Sequence, residues 1–187
     1  MRRRRRNGLP SGRSRPLLMH LTTADISLEL LIGPQLSAFS AAGYEVVGVS
    51  APGPFVEQVR ARYVEHVALG NATRSMNLGA DVAALAELVR LFRSRRPDIV
   101  HTHNPKTGVY GRIAARLAGV PVVVNTVHGL YATPGDPLPR RVAVYAAERI
   151  ASACSQLELV QNPEDIDTLR GLRVPSCKLR LLGNGVD

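Results

Sequence analysis

The sequence predicts an α/β fold in which helices cover both faces of a mostly parallel, doubly wound sheet of about seven strands. Seven short runs are rich in Val, Leu and Ile at successive positions, as strands buried on both faces of a parallel sheet must be. Longer segments with helical periodicity separate these runs. Most of the loops between strands and helices are short, and binding is expected at the C-terminal ends of the strands.

The strands and helices alternate along almost the whole chain. The clearest helix pattern spans 80–95, where one face carries Val82, Leu85, Leu88, Val89 and Phe92. Residues 26–32 are predicted as a separate turn, because Gly33–Pro34 interrupts the helical pattern that follows. The predicted strands are 17–22, 45–50, 64–69, 98–103, 121–127, 157–161 and 178–183, and the predicted helices are 34–42, 54–62, 80–95, 105–118, 137–152 and 163–171.

Helix start and stop signals support these boundaries. An Asn or Asp followed by Pro is typical of a helix N-terminus, and Gly is typical of the residue after a helix. The start signals are Asn104–Pro105, Asp136–Pro137 and Asn162–Pro163, and the stop signals are Gly43 and Gly119.

The formal charge of +9 is concentrated in the first residues of the chain. Residues 1–16 contain seven Arg and no acidic residue, while the rest of the chain is nearly neutral. We predict that 1–16 is a disordered tail. The arginines Arg2–Arg6 either anchor the protein on an anionic membrane surface, or belong to an extension without a function or to a start codon placed too far upstream. A neutral folded part does not favour specific nucleic-acid binding.

Several common functions are excluded by missing motifs. The two cysteines, Cys154 and Cys177, form no CxxC pair, which excludes a disulfide scaffold, a zinc ribbon and a thioredoxin-like redox motif. No apolar run has the length of a membrane span, which excludes a transmembrane helix. The first strand is followed by the sequence LTTADIS, which lacks the glycines of a dinucleotide-binding turn, and no GxxxxGK[ST] loop is present.

Histidines gather where two neighbouring strands are predicted to end. His101 and His103 are two residues apart on one strand and therefore project from the same face. His128 and Gly129 end the next strand. We interpret His128 as a catalytic or substrate-orienting group, with a packed strand-end histidine as the alternative. A metal site is disfavoured, because HxH alone is a weak signal and no carboxylate follows these strands.

The turn after the fourth strand is a candidate anion site. Residues 104–108 open a helix, where free backbone amides and the positive end of the helix dipole favour a phosphate group. Lys106 adds a positive charge there, and Arg112 is predicted to extend it further along the helix. The alternative is that Asn104–Pro105 is only a good helix start.

Three segments together resemble the family-4 retaining glycosyltransferases. They are RPDIVHTHNPKTGVYGRIAARLAGVPVVVNTVHG at 96–129, LELVQNPEDIDTL at 157–169 and KLRLLGNGVD at 178–187. The resemblance extends over 17–187 and is closest to bacterial enzymes that build capsular polysaccharide, exopolysaccharide or lipid-linked oligosaccharide.

The resemblance implies one half of a GT-B fold, in which two Rossmann-like domains face each other across a cleft. The N-terminal domain of such enzymes mostly binds the acceptor, and the C-terminal domain binds the nucleotide-sugar and carries a glutamate pair. The motif NGVD normally closes the N-terminal domain. On this resemblance, 17–187 is expected to be the acceptor-side domain, and the donor-binding domain is expected to be absent from the chain.

The resemblance also assigns roles to single residues. His128 matches the family histidine that lies in the cleft near the transferred sugar, and it is the predicted catalytic residue. Asp25 is a candidate contact to an acceptor hydroxyl, although its carboxylate could also simply cap the next turn. The segment 22–25 departs from the family pattern, where many relatives have a glycine pair. The substrate-binding candidates are Asp25, His103, Lys106, Thr107, Gly108, Gly129 and Asn184.

The resemblance leaves three functions open. The first is part of a hexosyltransferase or N-acetylhexosaminyltransferase that uses a nucleotide-sugar without a metal. Its acceptor, possibly polyprenyl-linked or a growing polysaccharide, would be reached in the cytoplasm at the inner face of the plasma membrane. The second is a non-catalytic module that binds acceptor and membrane while a separate chain supplies the donor domain. The third is an inactive, truncated remnant.

Overall fold

The computed structural model describes residues 13–71, 78–103, 105–133 and 135–183. Seven strands form one sheet in the order β3-β2-β1-β4-β5-β6-β7, and every neighbouring pair is parallel. The strands are β1 Leu17–Ala24, β2 Glu45–Ala51, β3 Glu65–Ala68, β4 Ile99–His103, β5 Val122–Val127, β6 Leu157–Val160 and β7 Leu179–Leu181. The α-helices are α1 Gly33–Ala41, α2 Val56–Arg62, α3 Leu78–Arg95, α4 Pro105–Ala118, α5 Leu138–Ser152 and α6 Pro163–Gly171.

All seven predicted strands and all six predicted helices are confirmed, with boundaries that differ by a few residues. The predicted turn at 26–32 is a π-helical turn over Ser27–Leu31. A 3-10 turn over Ser176–Lys178 leads into the last strand. The strand order reverses direction between β1 and β4, and this is the place where a doubly wound sheet opens a binding crevice.

The central strand β1 separates two apolar layers. Its alternate residues Leu17, Met19 and Leu21 pack with Leu88 of α3 and Ala114 of α4 in one core cluster. A second cluster, built on the π-helical turn, α1 and α2, covers the opposite face. The predicted apolar face of α3 is confirmed except at its margin, because the Val82 side chain lies 61% exposed.

The helix boundaries follow the predicted signals at most positions. Gly43 and Gly119 follow α1 and α4 with φ of +97° and +76°, a conformation that favours glycine. The Asn162 side chain donates to Asp165 rather than accepting from a helix amide. Asp136 does not cap α5, which begins at Leu138, because its carboxylate accepts the Thr133 amide at 2.8 Å. Asn104 lies outside the described residues.

The last residues of the predicted tail 1–16 contact the folded domain, from Arg13 onward. Arg13 donates to the Arg95 carbonyl at 2.8 Å, and Arg15 donates to the Gly43 carbonyl at 3.1 Å. Both guanidinium groups thus bind carbonyls at or just after the C-terminal end of a helix, where cations are favoured by the helix dipole. Residues 13–16 therefore belong with the domain, and 1–12 lie outside the described residues. Within the described part of the chain, no helix is both long and apolar enough to cross a bilayer.

Candidate functional site

A cavity of about 500 Å³ opens at the carboxyl ends of β1, β4 and β5. Residues 126–129, at the end of β5, line one part of it, and Lys106 at the start of α4 lines another. The opposing walls are largely apolar and come from α4, from α5 and from the loop after β5. Among their residues are Val109, Tyr110, Leu130, Tyr131, Val144 and Ala147. The cavity therefore lies at the crevice predicted from the strand order.

The predicted catalytic residue His128 lines this cavity and is half-buried. Its Nδ1 lies 3.0 Å from the Oε1 of Gln161, and its Nε2 lies 3.2 Å from the Nδ1 of His103. Burial lowers the pKa of His128, although the hydrogen bond that its Nδ1 donates to Gln161 opposes this shift. The ring is therefore neutral at neutral pH, and both of its nitrogens are engaged within the protein.

His103 lies behind His128 and has no exposed face from which to bind substrate directly. Its side chain is buried, and its Nε2 lies 3.0 Å from the Nδ1 of His20 on β1. Burial lowers the pKa of His103 well below the ordinary histidine value, and the nearby His101 lowers it further. His103 thus contacts the histidine that lines the cavity, and its predicted role in substrate binding is at most indirect.

His20 lies in a cluster with His101, His103 and His128, and it is the histidine of this cluster that the sequence analysis did not single out. It lies directly beside His101 in the pairing of β1 with β4. Burial lowers the pKa of His20 to about 3. One nitrogen each from His20, His101 and His103 lies within 4.8 Å of the other two, a spacing that could accommodate a metal ion. Our expectation that no metal is bound stays a prediction.

Lys106 reaches the mouth of the cavity, but it is not an isolated charge. Its Nζ lies 2.7 Å from the Oδ1 of Asp81 on α3, and both side chains are only partly exposed. An anion that enters here would meet a cation already paired with a carboxylate. Anion binding at the start of α4 therefore depends on how strongly the Asp81 carboxylate competes with the anion for Lys106.

Thr107 and Gly108 make close contacts with β4 and β5 at the start of α4. The Thr107 hydroxyl is fully buried and donates to the His103 carbonyl at 2.5 Å. A Cβ at Gly108 would lie 3.1 Å from the Oδ1 of Asn125, so the helix approaches β5 closely at this point. The Thr107 hydrogen bond and the close approach at Gly108 hold α4 against the sheet beside the cavity.

Gly129 turns the chain away from the end of β5. Its φ of +112° lies in the region that favours glycine, and the residue lines the cavity directly after His128. Asn184, the remaining candidate of the predicted site, lies outside the described residues.

Asp25 is bound by backbone amides on both of its carboxylate oxygens. Oδ1 accepts the Ile26 amide at 2.9 Å and Oδ2 accepts the Phe55 amide at 2.7 Å. The carboxylate also lies directly against Gly53, where a Cβ would clash with its Oδ1. This arrangement matches the alternative interpretation, in which the carboxylate caps the turn after β1. Contact of Asp25 with an acceptor hydroxyl stays a prediction.

The prediction that Arg112 adds positive charge to an anion site is wrong. Its guanidinium is 1% exposed and donates to Glu148 and Glu158, each at 2.8 Å. Burial alone would lower the pKa of Arg112, but the carboxylates of Glu158 and Glu148 raise it above its ordinary value. Asn125 donates to the second oxygen of Glu158 at 2.7 Å. Arg112 thus joins α4, α5 and β6 under one wall of the cavity.

Tyr110 is a further residue that the sequence analysis did not single out. It lines the cavity, and its buried hydroxyl has no hydrogen-bond partner among the described residues. Burial raises the pKa of Tyr110, so the hydroxyl stays protonated and can donate. The only sequence signal was its position five residues after the helix start, where an aromatic residue is equally typical of a core.

The sequence of this chain is similar to those of known bacterial proteins. Over 115 residues, the chain is 38% identical to a UDP-Gal:alpha-D-GlcNAc-diphosphoundecaprenol alpha-1,3-galactosyltransferase of Escherichia coli, a match covering 61% of this chain and 30% of that protein. It is 28% identical over 138 residues to the capsular polysaccharide biosynthesis glycosyltransferase CapM of Staphylococcus aureus, covering 74% of this chain and 35% of that protein. The chain thus spans about a third of the length of these relatives.

Solved structures share the fold at low sequence identity. A glycosyltransferase from Rickettsia africae ESF-5 has a TM-score of 0.67 and 14% identity, and the match covers 94% of this chain and 44% of that one. A UDP-N-acetylglucosamine 2-epimerase from Rickettsia bellii has a TM-score of 0.67 and 11% identity, covering 90% of this chain and 45% of that one. The Rossmann-like fold expected from the sequence, one half of a GT-B fold, is confirmed. Because residues 32–185 also match the glycosyl transferase 4-like domain, the chain belongs to that family of glycosyltransferases.

Proposed function

We propose that this domain forms the acceptor side of a retaining glycosyltransferase, which transfers a sugar from a nucleotide-sugar to a lipid-linked or polysaccharide acceptor. The observation that carries the proposal is the cavity at the carboxyl ends of β1, β4 and β5, with His128 in its lining. Membership of the glycosyl transferase 4-like family supports the reaction class. The galactosyltransferase of Escherichia coli supports the acceptor class, because its name specifies a diphospholipid-linked sugar.

The chemistry of the cavity fits an acceptor with both polar and apolar parts. Val109 and Leu130 line its apolar walls, where a lipid carrier could be buried. A diphosphate linker would face Lys106, which also pairs with Asp81, and the partial positive charge at the start of α4. His128, in the lining of the cavity, would lie beside the acceptor sugar.

The proposed mechanism divides the work between two domains. In the transfer step, the bond between the sugar and the nucleotide diphosphate breaks. The oxygen of an acceptor hydroxyl forms the new bond on the same face of the sugar, and its proton passes to the leaving nucleotide diphosphate. This domain would orient the hydroxyl, and the neutral ring of His128, whose nitrogens contact His103 and Gln161, would lie against the positive charge that develops on the transferred sugar. A second domain facing the cavity, in the same polypeptide or in another chain, would hold the nucleotide-sugar and stabilise the leaving diphosphate.

A membrane is the second proposed partner, because a lipid-linked acceptor is reached at a membrane surface. The arginines of Arg2–Arg6 could hold the protein on anionic lipid at the inner face of the plasma membrane. A non-catalytic module that binds acceptor and membrane for a separate donor chain remains the alternative function.

The test of the proposal is reconstitution of transfer. The 187-residue chain should show no transfer by itself, and addition of a donor domain, fused after Asp187 or supplied separately, should produce it. In the reconstituted enzyme, His128→Ala should lower turnover ~100-fold, the scale of losing one positioned catalytic group. Arg170→Ala, an exposed position on α6, is the control and should leave turnover unchanged. Turnover in His128→Ala close to that of the parent would contradict the catalytic role of His128.

A further inference from the structure

Gln161 follows directly after β6, at the same edge of the sheet as the cavity. Its backbone amide donates to the Val127 carbonyl at 3.2 Å, which holds it beside the end of β5. Its side-chain oxygen lies 3.0 Å from the Nδ1 of His128. A carbonyl oxygen only accepts hydrogen bonds, so this contact requires a proton on Nδ1.

The position of that proton determines the hydrogen bonds of the next rings. A neutral His128 with Nδ1 protonated has a bare Nε2, which lies 3.2 Å from the Nδ1 of His103 and must accept from it. By the same rule, the Nε2 of His103 accepts from the Nδ1 of His20 at 3.0 Å. The three contacts are satisfied together when each ring carries a single proton, because every N–H then faces one acceptor.

The contacts of His20, the last ring in this row of hydrogen bonds, support the same direction of donation. Nε2 of His20 is buried and has no hydrogen-bond partner among the described residues. The aromatic ring of Phe39 lies 5.5 Å from the ring of His20. If the hydrogen bonds ran the other way, a buried N–H group would be left unpaired at this nitrogen, which is rare in folded proteins. A bare nitrogen at the same place avoids that unpaired donor.

We propose that Gln161 is a positioning residue, which holds His128 as the Nδ1–H tautomer and thereby fixes the direction of the hydrogen-bond chain through His103 to His20. The Gln161 side chain also restrains the plane of the His128 ring at the cavity. Its catalytic consequence rests on the proposed function, because only a transferase that uses His128 would respond in turnover. The tautomer is a property of the domain itself and does not depend on that function.

The first experiment reads the protonation of each ring nitrogen in the 187-residue chain by long-range proton–nitrogen NMR, at a pH where the histidines are neutral. The parent should show His128, His103 and His20 as Nδ1–H tautomers. Gln161→Leu should lose the Nδ1–H form of His128, and Gln161→Glu should keep it, because a carboxylate also only accepts. Gln156→Leu is the matched control, since the Gln156 side chain accepts the Val123 amide at the opposite end of β5.

An Nε2–H tautomer of His128 in the parent would overturn the proposal, as would an unchanged Nδ1–H form in Gln161→Leu. The second experiment measures transfer in the reconstituted enzyme. There, Gln161→Leu should lower kcat ~10-fold or more with a smaller effect on KM, and Gln161→Glu should recover most of the loss. If the tautomer changes while kcat does not, the positioning role in catalysis is refuted. If the parent enzyme transfers no sugar, the proposed function has failed, and the tautomer result stands separately.

Discussion

The ammonium of Lys106 lies 2.7 Å from the Oδ1 of Asp81 at the mouth of the cavity. This pair joins the start of α4 to α3 and balances the positive charge that an anionic ligand would require. Removal of the carboxylate should therefore strengthen anion binding at the start of α4. We expect Asp81→Asn to raise the affinity for pyrophosphate ~10-fold, the effect of one unit charge a few ångströms away.

Isothermal titration with pyrophosphate would measure this change. Lys106→Ala should weaken binding, and Lys106→Ala combined with Asp81→Asn should remove the gain. Equal affinity in the parent, Asp81→Asn and Lys106→Ala would contradict an anion site at this helix start.

Arg112 carries the second prediction, which concerns stability. Arg112→Met leaves Glu148 and Glu158 buried without their cation. We expect a loss of ~3–5 kcal/mol in the free energy of unfolding, because an unpaired buried charge is strongly destabilising. Urea unfolding would measure it. Arg170→Ala, which breaks an exposed pair, should change stability by less than ~0.5 kcal/mol.

A triple variant separates loss of charge balance from loss of packing. Arg112→Met combined with Glu148→Gln and Glu158→Gln removes all three charges and should recover part of the lost stability. If the triple variant is less stable than Arg112→Met, the main role of Arg112 is packing rather than charge compensation.

The buried histidines predict a loss of stability in mild acid. Burial lowers the pKa of His20 from 6.5 to about 3, so between these values the unfolded chain binds a proton that the folded domain does not. The free energy of unfolding should therefore fall as the pH falls below about 6.5, by up to ~1.4 kcal/mol per pH unit for each such histidine. His101 and His103 shift in the same direction and steepen the fall.

Urea unfolding at several pH values would measure this slope. His20→Leu should reduce this slope by up to ~1.4 kcal/mol per pH unit, because one fewer proton is taken up on unfolding. The control is Leu36→Ala, which removes a buried apolar side chain and should lower stability equally at each pH. A parallel dependence in the parent and His20→Leu would show that His20 titrates normally in the folded domain.

The membrane proposal predicts that the first residues of the chain drive lipid binding. Liposomes with anionic lipid should retain the chain at low salt and release it as salt screens the charge. Deletion of residues 1–12 should abolish retention. Val142→Ser with Ile150→Ser, which changes two exposed apolar side chains of α5, should have little effect. Retention that survives the deletion and fails in the α5 variant would move the membrane contact to the folded domain.

The sequence predicted the sheet and its helices well, because each element has its own local signal. A strand such as Val122–Val127 is apolar at most positions, and Gly43 and Gly119 mark helix ends through a backbone conformation that few residues adopt. The site was predicted less completely. The position of His128 beside the cavity could be predicted because it ends a strand, and the carboxyl ends of parallel strands share one edge of the sheet.

The partners of His128 could not be found in the same way. Gln161 lies 33 residues from His128 in sequence, and His20 lies 83 residues from His103. Their contacts depend on strand order and register, which local patterns do not specify. Arg112 was misassigned for the same reason. A basic residue early in a helix usually faces solvent, and only the packing of α5 and β6 against α4 reveals its two buried carboxylates.

The central claim is that the cavity binds the acceptor and not the donor. The most direct measurement is an NMR titration of the isotope-labelled 187-residue chain with two ligands, a water-soluble short-chain analogue of GlcNAc-diphosphoprenol and a UDP-sugar. The account predicts saturable shifts at cavity residues, including Lys106, His128 and Val144, for the acceptor analogue, with little change for the UDP-sugar. Saturable binding of the UDP-sugar in the cavity, with no response to the acceptor analogue, would contradict it.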